Sequence, residues 1–448
     1  MLQSFRARHP QRTLMSTIPA SLRTFDVAAV PSKENKRNDQ HSNTWTLKNG
    51  CSCKVLMLVS NGFDPDPRVH AEAKSMVAHG YEVKLLAWDR ELKYPAKEIR
   101  DGISIERIHL RSSHNRGATQ AVFIAAMTGI MVARGLRRSF DVVHAHDFDT
   151  LPAAYALACL KRRPLVYDAH EDFVGMLDGF IPSWMSKVIH RAEDLFVRHV
   201  DLLITVGEKL RQDFERRGCH RSVVVGNWKV VSEFRLQPDV RLRVRRELQI
   251  PQTALVVSFI AQLGTERKIH ELLKAISLRP SVHLIVAGTG PELPVVKNYA
   301  RIHRNIHYLG FLDPDGVRSA TWASDVVYYG FDTKNPNSKY SAPNKLFEAL
   351  AAGKCLISGH FGEIEAIVNS THCGILLSSF SEQQIVRALD DCLNFDRLRM
   401  FQQSAAHAGE ATYNWAKAEE QLLSSYEELC DMKSNVTSVE SARCGPVE

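Results

Sequence analysis

The stretch "YSAPNKLFEALAAGKCLIS", Tyr340 to Ser358, joins a short amphipathic helix to a buried strand. Pro343 suits the first helical position, and Ser341 can cap from just before it. Leu346, Phe347, Leu350 and Ala351 fall on one apolar seam, Gly353 ends the helix, and "KCLISG" continues as a strand. Lys345, Glu348 and Ala352 share another face, at i, i+3 and i+7. A helix start presents free N–H groups and a positive dipole end, which favour a phosphate. Lys345 adds a cation in the first turn, with Asn344 beside it. A carboxylate only accepts hydrogen bonds, so Glu348 can take two from the vicinal hydroxyls of a ribose. The same pair also reads as an ordinary surface ion pair, and the helix alone does not choose between the two.

Working outward, strand and helix signals alternate. "KVLMLVS" (Lys54–Ser60), "YEVKLLAW", "DVVHAH" (Asp141–His146), "PLVYDAH" (Pro164–His170) and "DLLITVG" (Asp201–Gly207) read as strands, with the helix "PRVHAEAKSMVAHG" between the first two. The series restarts with "ALVVSFIAQLG" (Ala254–Gly264), "VHLIVAGTG", "IHYLGF", "SDVVYYGF" and "KCLISG". Strands alternating with helices make parallel sheets covered on both faces. Two series predict an α/β protein of two Rossmann-like, doubly wound domains with a ligand cleft between them. The changeover falls near "GNWKVVSEFRLQPD" (Gly226–Asp239). We place a basic tail at residues 1–50, one domain at 51–232, a second at 233–405, a closing helix at 406–430 and a second tail at 431–448. "AGTGPEL" carries Gly288 and Gly290 after a strand, but Leu293 stands where a dinucleotide fingerprint needs its third glycine, so nicotinamide binding is rejected.

Composition excludes several classes. The net charge is +7, but residues 1–50 alone carry +5 and the remaining 398 only +2, too little for a surface that tracks nucleic-acid phosphates. The nine cysteines form no framework and fit reduced thiols in a cytoplasmic protein. The first 25 residues read either as an organellar transit peptide or as a disordered extension with Met15 as a second start. From Arg107 to Ser139 there are six arginines and no acid, flanking the apolar run "AVFIAAMTGIMVA". That run is too short to span a bilayer. It reads either as a domain helix or as a peripheral contact with anionic lipid.

The motif "SAPNKLFEALAAGKCLI" resembles the signature of retaining glycosyltransferases of family 4, which adopt the GT-B fold. "FDPDPRVHAEAKSMVAHGYEVKLLA", "FDVVHAHDFDTLPAA", "PLVYDAHEDF", "FIAQLGTERKIHELLKAI" and "VHLIVAGTGPE" agree with that family in order and spacing. The resemblance covers about residues 53 to 429. It implies transfer of a sugar from a UDP- or GDP-type donor to an acceptor hydroxyl, with retention, in polysaccharide or glycolipid synthesis. It implies no cofactor and no metal, and a terminal helix that crosses back to the first domain. Arg267 and Lys345 would meet the leaving diphosphate, and Glu348 the ribose. His170 would lie near the sugar and the acceptor, to hydrogen-bond a hydroxyl or accept a proton. Asn344, Pro343, Ser341 and Gly290 join the donor side. Glu171, Asp168, His146 and Asp147 join the acceptor side, with Asn61 and Gly62 in the first loop. A sugar, a lipid-linked group or another hydroxyl compound would be the acceptor. Two positions depart from the family. Tyr340 stands where many members carry a second glutamate, and Lys268 where a glycine commonly follows the basic residue. The second departure means either that Lys268 takes part in diphosphate binding or that the loop is reshaped. The runner-up readings are a GT-B nucleotide-sugar epimerase and a non-catalytic nucleotide-sugar binding protein. "DFD" and "DPD" imitate a metal-binding D-x-D but read as turn and capping residues.

Overall fold

The computed structural model describes residues 53–64, 66–112, 119–177, 181–334 and 336–443; residues 1–50, Arg116 and 444–448 lie outside them. Two sheets carry the fold. The first runs in the order β3-β4-β2-β1-β5-β6-β7-β8, with β1 Lys54–Val59, β2 Glu82–Asp89, β3 Lys97–Arg100, β4 Ile103–His109, β5 Val142–His146, β6 Leu165–Ala169, β7 Leu202–Thr205 and β8 Ser222–Val224. The second runs β11-β10-β9-β12-β13-β14, with β9 Leu255–Ile260, β10 Val282–Ala287, β11 Ile306–Tyr308, β12 Val326–Tyr329, β13 Cys355–Gly359 and β14 Gly374–Leu377. Every pairing is parallel except the β3–β4 hairpin. The central strands are buried along nearly their whole length, which is why they read as continuous apolar runs rather than alternating ones.

In both sheets the chain reverses its direction of travel beside the first strand of the series. β1 lies between β2 and β5, and β9 lies between β10 and β12. These two switch points open toward each other and create the cleft. The first helix, Pro67–Ala78, is capped by Asp66, whose carboxylate accepts from Val69 N. Asp313 caps the helix Pro314–Ala323 in the same way. Both capping aspartates belong to D-P-D triplets, so turn and cap chemistry accounts for them.

The last helix, Trp415–Arg443, buries Ala418, Leu422, Tyr426 and Leu429 among Val55, Met57, Val83 and other residues of the first domain. Trp415 Nε1 donates to Ser75 Oγ at 3.0 Å, and Tyr426 Oη meets His144 Nδ1 at 2.8 Å. This helix continues to Arg443, beyond Cys430, where the sequence reading begins a tail. Once packing has anchored the preceding turns, each further residue adds one backbone bond without a new nucleation cost.

Three arginines of the run are tied down. Arg107 is buried and donates to the carbonyls of Gly62 and Pro95 and to Glu98. Arg134 and Arg138 share the carboxylate of Glu106. The partners lie just outside the run, so a count of charges within it misses them. Met127 and Met131 of the intervening helix, Thr119–Leu136, are in the core. The segment therefore packs on the domain core along one face, and no helix among the described residues is long and apolar enough to cross a membrane.

Candidate active site

The helix of the opening motif spans Asn344–Ala351, with Pro343 as its extended N-cap at φ −72° and ψ 143°. Pro343 therefore sits one position earlier than expected, and Ser341 makes no cap. Ser341 is used otherwise: its carbonyl accepts from Glu363 N at 2.9 Å. The helix tip faces a cavity of about 290 Å³ lined by Arg267, Tyr340, Ser341, Lys345 and, from the other domain, His170 and Glu171. Asn344 and Pro343 complete its edge.

Lys345 and Glu348 are ion-paired, and both are largely buried. Lys229, from the segment between the domains, donates to Asn344 Oδ1 at 2.5 Å. Burial lowers the pKa of Lys229, and Lys345 lowers it further, while Glu348 opposes both. Two cations, Arg267 and Lys345, thus line the cavity at this helix start, and Lys229 reaches the first helical residue from outside that lining. Sequence reasoning missed Lys229, because nothing in "GNWKVV" distinguishes a linker lysine from one aimed at a site.

Arg267 ends a short 3₁₀ turn after β9, donates to Tyr329 Oη at 2.7 Å and stacks on Phe331 with 4.8 Å to the ring centroid. Such stacking fixes the plane of a guanidinium that must meet an anion. Lys268 follows with φ +54° and ψ 33°. This is the left-handed conformation that glycine adopts at no cost, which explains the usual residue. The lysine itself adopts that conformation. Its Nζ turns to Asp332 at 3.4 Å and does not line the cavity. Gly290 also stays out of the lining. A Cβ there would lie 2.4 Å from the carbonyl oxygen of Leu263, so the bare glycine lets its loop pack closely on that backbone.

Across the cleft, Arg68 grips Asp168 with two bonds, Nε at 3.0 Å and Nη2 at 2.7 Å, and reaches the carbonyl of Val225. Asp168 Oδ2 accepts in addition from His170 Nε2 at 2.8 Å and from His146 Nδ1 at 3.2 Å. The other ring nitrogen of His170 lies 3.2 Å from Asp147 Oδ2. Burial opposes a charge on this imidazole, but Asp147 and Asp168 outweigh it and hold His170 well above the usual histidine range. Burial likewise works against ionised Asp168, and Arg68 and His170 override it, so its pKa falls well below the usual carboxylate value. Both ring nitrogens of His170 thus face carboxylates, an arrangement that favours its protonated form. His146 is buried behind Asp168 rather than exposed to the cleft. Asn61 donates to Asp66 and accepts from Phe63 N, while the Gly62 carbonyl takes Arg107, so both build the first loop instead of lining either cavity described here. Arg68 was not singled out from sequence. The signal available was an arginine at the second position of a helix begun by Pro67.

Glu171 joins the domains: its Oε2 accepts from Asn337 Nδ2 at 2.8 Å, and Asn337 Oδ1 accepts from Asp172 N at 3.1 Å. Burial raises the Glu171 pKa, with Asn337 opposing. A second, larger cavity of about 670 Å³ continues from His170 and Asn227 past Arg68 and Lys74 to Trp415.

Residues 65–228 match the family of the glycosyl transferase 4-like domain, and residues 240–415 match glycosyl transferases group 1. An uncharacterized glycosyltransferase of Methanocaldococcus jannaschii is 24% identical over 336 residues, which are 72% of this chain and 83% of the relative. Sucrose-phosphate synthase from Thermosynechococcus elongatus superposes with a TM-score of 0.67 at 15% identity, over 84% of this chain and 99% of that one. Anabaena HepE in complex with UDP-glucose gives 0.62 at 17% identity, over 84% and 99%. These likenesses show the fold, and the two family matches fall on its two halves. With two facing doubly wound domains and a cation-lined cleft between them, the chain belongs to the group 1 glycosyltransferases of GT-B fold.

Proposed function

We propose that this glycosyltransferase moves a sugar from a nucleoside-diphosphate sugar to an acceptor hydroxyl with retention of configuration, in polysaccharide or glycolipid synthesis. The observation that carries the reading is the placement of Arg267 and Lys345 at the start of the Asn344 helix, in a cavity that His170 also lines, with Lys229 bonded to Asn344 beside it. As the bond from the anomeric carbon to phosphate breaks, negative charge gathers on the diphosphate while the sugar turns oxocarbenium-like. Fixed cations and helix amides meet that charge without a metal at the phosphates. On donor binding the Lys345–Glu348 pair exchanges partners. Lys345 swings to phosphate, and Glu348 is left free for the ribose hydroxyls.

Both ring nitrogens of His170 are engaged by Asp147 and Asp168, which disfavours this imidazole as the base for the acceptor's proton. The base that remains is the departing phosphate oxygen itself. The acceptor then attacks from the face the diphosphate leaves, its proton passes to that oxygen, and configuration is kept. The complex of HepE with UDP-glucose makes UDP-sugars the first donors to try.

The test is incubation of the purified chain with UDP- and GDP-sugars, with and without simple sugar acceptors, while nucleoside diphosphate and sugar products are followed. Acceptor-dependent release with an α-linked product from an α-donor is the expected result. Isomer exchange at C2, or tight binding with no turnover across the panel, would overturn the reading.

A further inference from the structure

The helix Ser183–Val197 follows the His170 loop, and sugar transfer makes no use of its outer face. Its inner face is tied to the core. Val197 is fully buried, and the buried Glu193 accepts from Tyr167 Oη at 3.0 Å and pairs with Arg217. The opposite side is different. With about 100° of turn per residue, Trp184, Lys187, Val188, Arg191, Leu195 and the C-cap Arg198 fall within about 100° of arc. All of them are exposed, Trp184 to 66% and Leu195 to 60%. No carboxylate among the described residues pairs with Lys187 or Arg191. Arg198 Nε donates only to a carbonyl, that of Arg217, at 3.5 Å. The one acid near the arc, Asp194 at its edge, is already held by Arg217 Nε at 2.6 Å and faces His190.

A surface helix that needs only to be soluble carries polar residues on its outer arc. Here an indole and two branched aliphatic side chains alternate with three cations, with no acid among them. An indole suits the plane where an apolar layer meets water, because its ring is apolar and its N–H is polar. Lysine and arginine stems lie along such a layer while their charged heads reach anions at its edge. A second copy of this chain fits badly, since a two-fold contact sets the stripe against itself and brings like charges together. The stripe is also a ridge rather than a pocket. A fluid surface conforms to a ridge, whereas a protein partner must supply a matching acidic groove.

We propose that this face docks the first domain on an anionic lipid surface. Trp184, Val188 and Leu195 enter the headgroup boundary, and Lys187, Arg191 and Arg198 meet the lipid anions. The short helix Phe173–Met176 packs both on this helix and on Pro336–Tyr340 of the second domain, so docking sets one edge of the cleft beside the bilayer. The contact does not depend on which donor or acceptor the enzyme uses.

The experiment uses the full chain in co-sedimentation with vesicles of phosphatidylserine and phosphatidylcholine, and with vesicles of phosphatidylcholine alone. Wild type is expected to bind the first and to bind the second far more weakly. Raising salt from about 0.1 to about 1 M shortens the screening length from about 10 to about 3 Å and is expected to weaken binding severalfold. The double variant Lys187→Glu/Arg191→Glu is expected to bind about tenfold more weakly or worse. Lys297→Glu, at an exposed lysine of the second domain, is expected to bind as wild type does. Lipid brominated on its acyl chains is expected to quench the fluorescence of wild type, and of Trp184→Ser much less. Residues 1–50 carry positive charge of their own but are present in every variant, so the differences read the helix alone. Wild type that ignores anionic vesicles, or binds neutral ones as tightly, overturns the proposal, and so does a double variant with wild-type affinity. A lipid-free dimer that Trp184→Ser dissociates would give the face to a second copy and overturn it as well. None of these readings involves turnover, so failure of the donor panel and failure of the docking face are separate results.

Discussion

Glu348 has two claims on it, an ion pair with Lys345 one helical turn away and the hydroxyls of a ribose. If the second is its task, Glu348→Ala weakens donor binding about tenfold or more, about 1.4 kcal/mol, by calorimetry with a nucleoside diphosphate. Unchanged affinity would leave Glu348 as no more than a partner for Lys345. Arg267→Ala is expected to lower turnover more than donor affinity, because its charge is needed most when the diphosphate departs; an equal loss in both would make it a binding residue only. Lys268 tests a different idea. It sits in a left-handed conformation and its side chain points to Asp332. Lys268→Gly is therefore expected to raise stability by about 1 kcal/mol in urea unfolding, at unchanged donor affinity. A tenfold loss of affinity would place Lys268 at the phosphates after all.

At the scale of elements, the closing helix does the most with the least signal. Leu422→Ala should cost about 2–5 kcal/mol and loosen the first domain, because Leu422 is fully buried there; the first urea transition and protease sensitivity between the domains are the measures. A stable first domain in that variant would reduce the helix to a surface cover. The long buried strands β1, β2, β5, β6, β9, β10, β12 and β13 were legible because burial on both faces leaves continuous apolar runs. β3, of sequence KEIR, was not, for it lies at the sheet edge with polar side chains and pairs only with β4. β8 and β14, three and four residues long and only partly buried along most of their length, close the opposite edges and were missed for the same reason. In the site, Lys345 and Glu348 share a helical face and could be paired by counting. The Arg68–Asp168–His170 network could not, because it joins residues 100 apart that meet only when β6 lies under the first helix.

The whole molecule's stability carries a pH signature of its own. Lys354 is buried, donates to the Ser324 carbonyl at 2.8 Å, and has its pKa lowered to about 7 from 10.5 by burial and by the Arg241 and Arg245 charges, with Asp325 opposing. A lysine that holds its proton less well folded than unfolded makes the unfolded chain the better proton binder between those two values. Stability from this group therefore rises as pH increases from about 7 toward 10.5, and the full penalty is present below about 7. Lys354→Met is expected to flatten that rise in a series of melting curves from pH 7 to 9.5; a slope identical to wild type would exclude the lysine as its source.

The path of the last helix also sets an order of events during synthesis. A domain that leaves the ribosome first would ordinarily fold first. Here the layer beneath β1 and β2 includes Ala418, Leu422, Tyr426 and Leu429, which emerge only after the whole second sheet has been translated. Until then the nascent first half exposes an apolar groove the length of three helical turns, and chaperones have that interval in which to cover it.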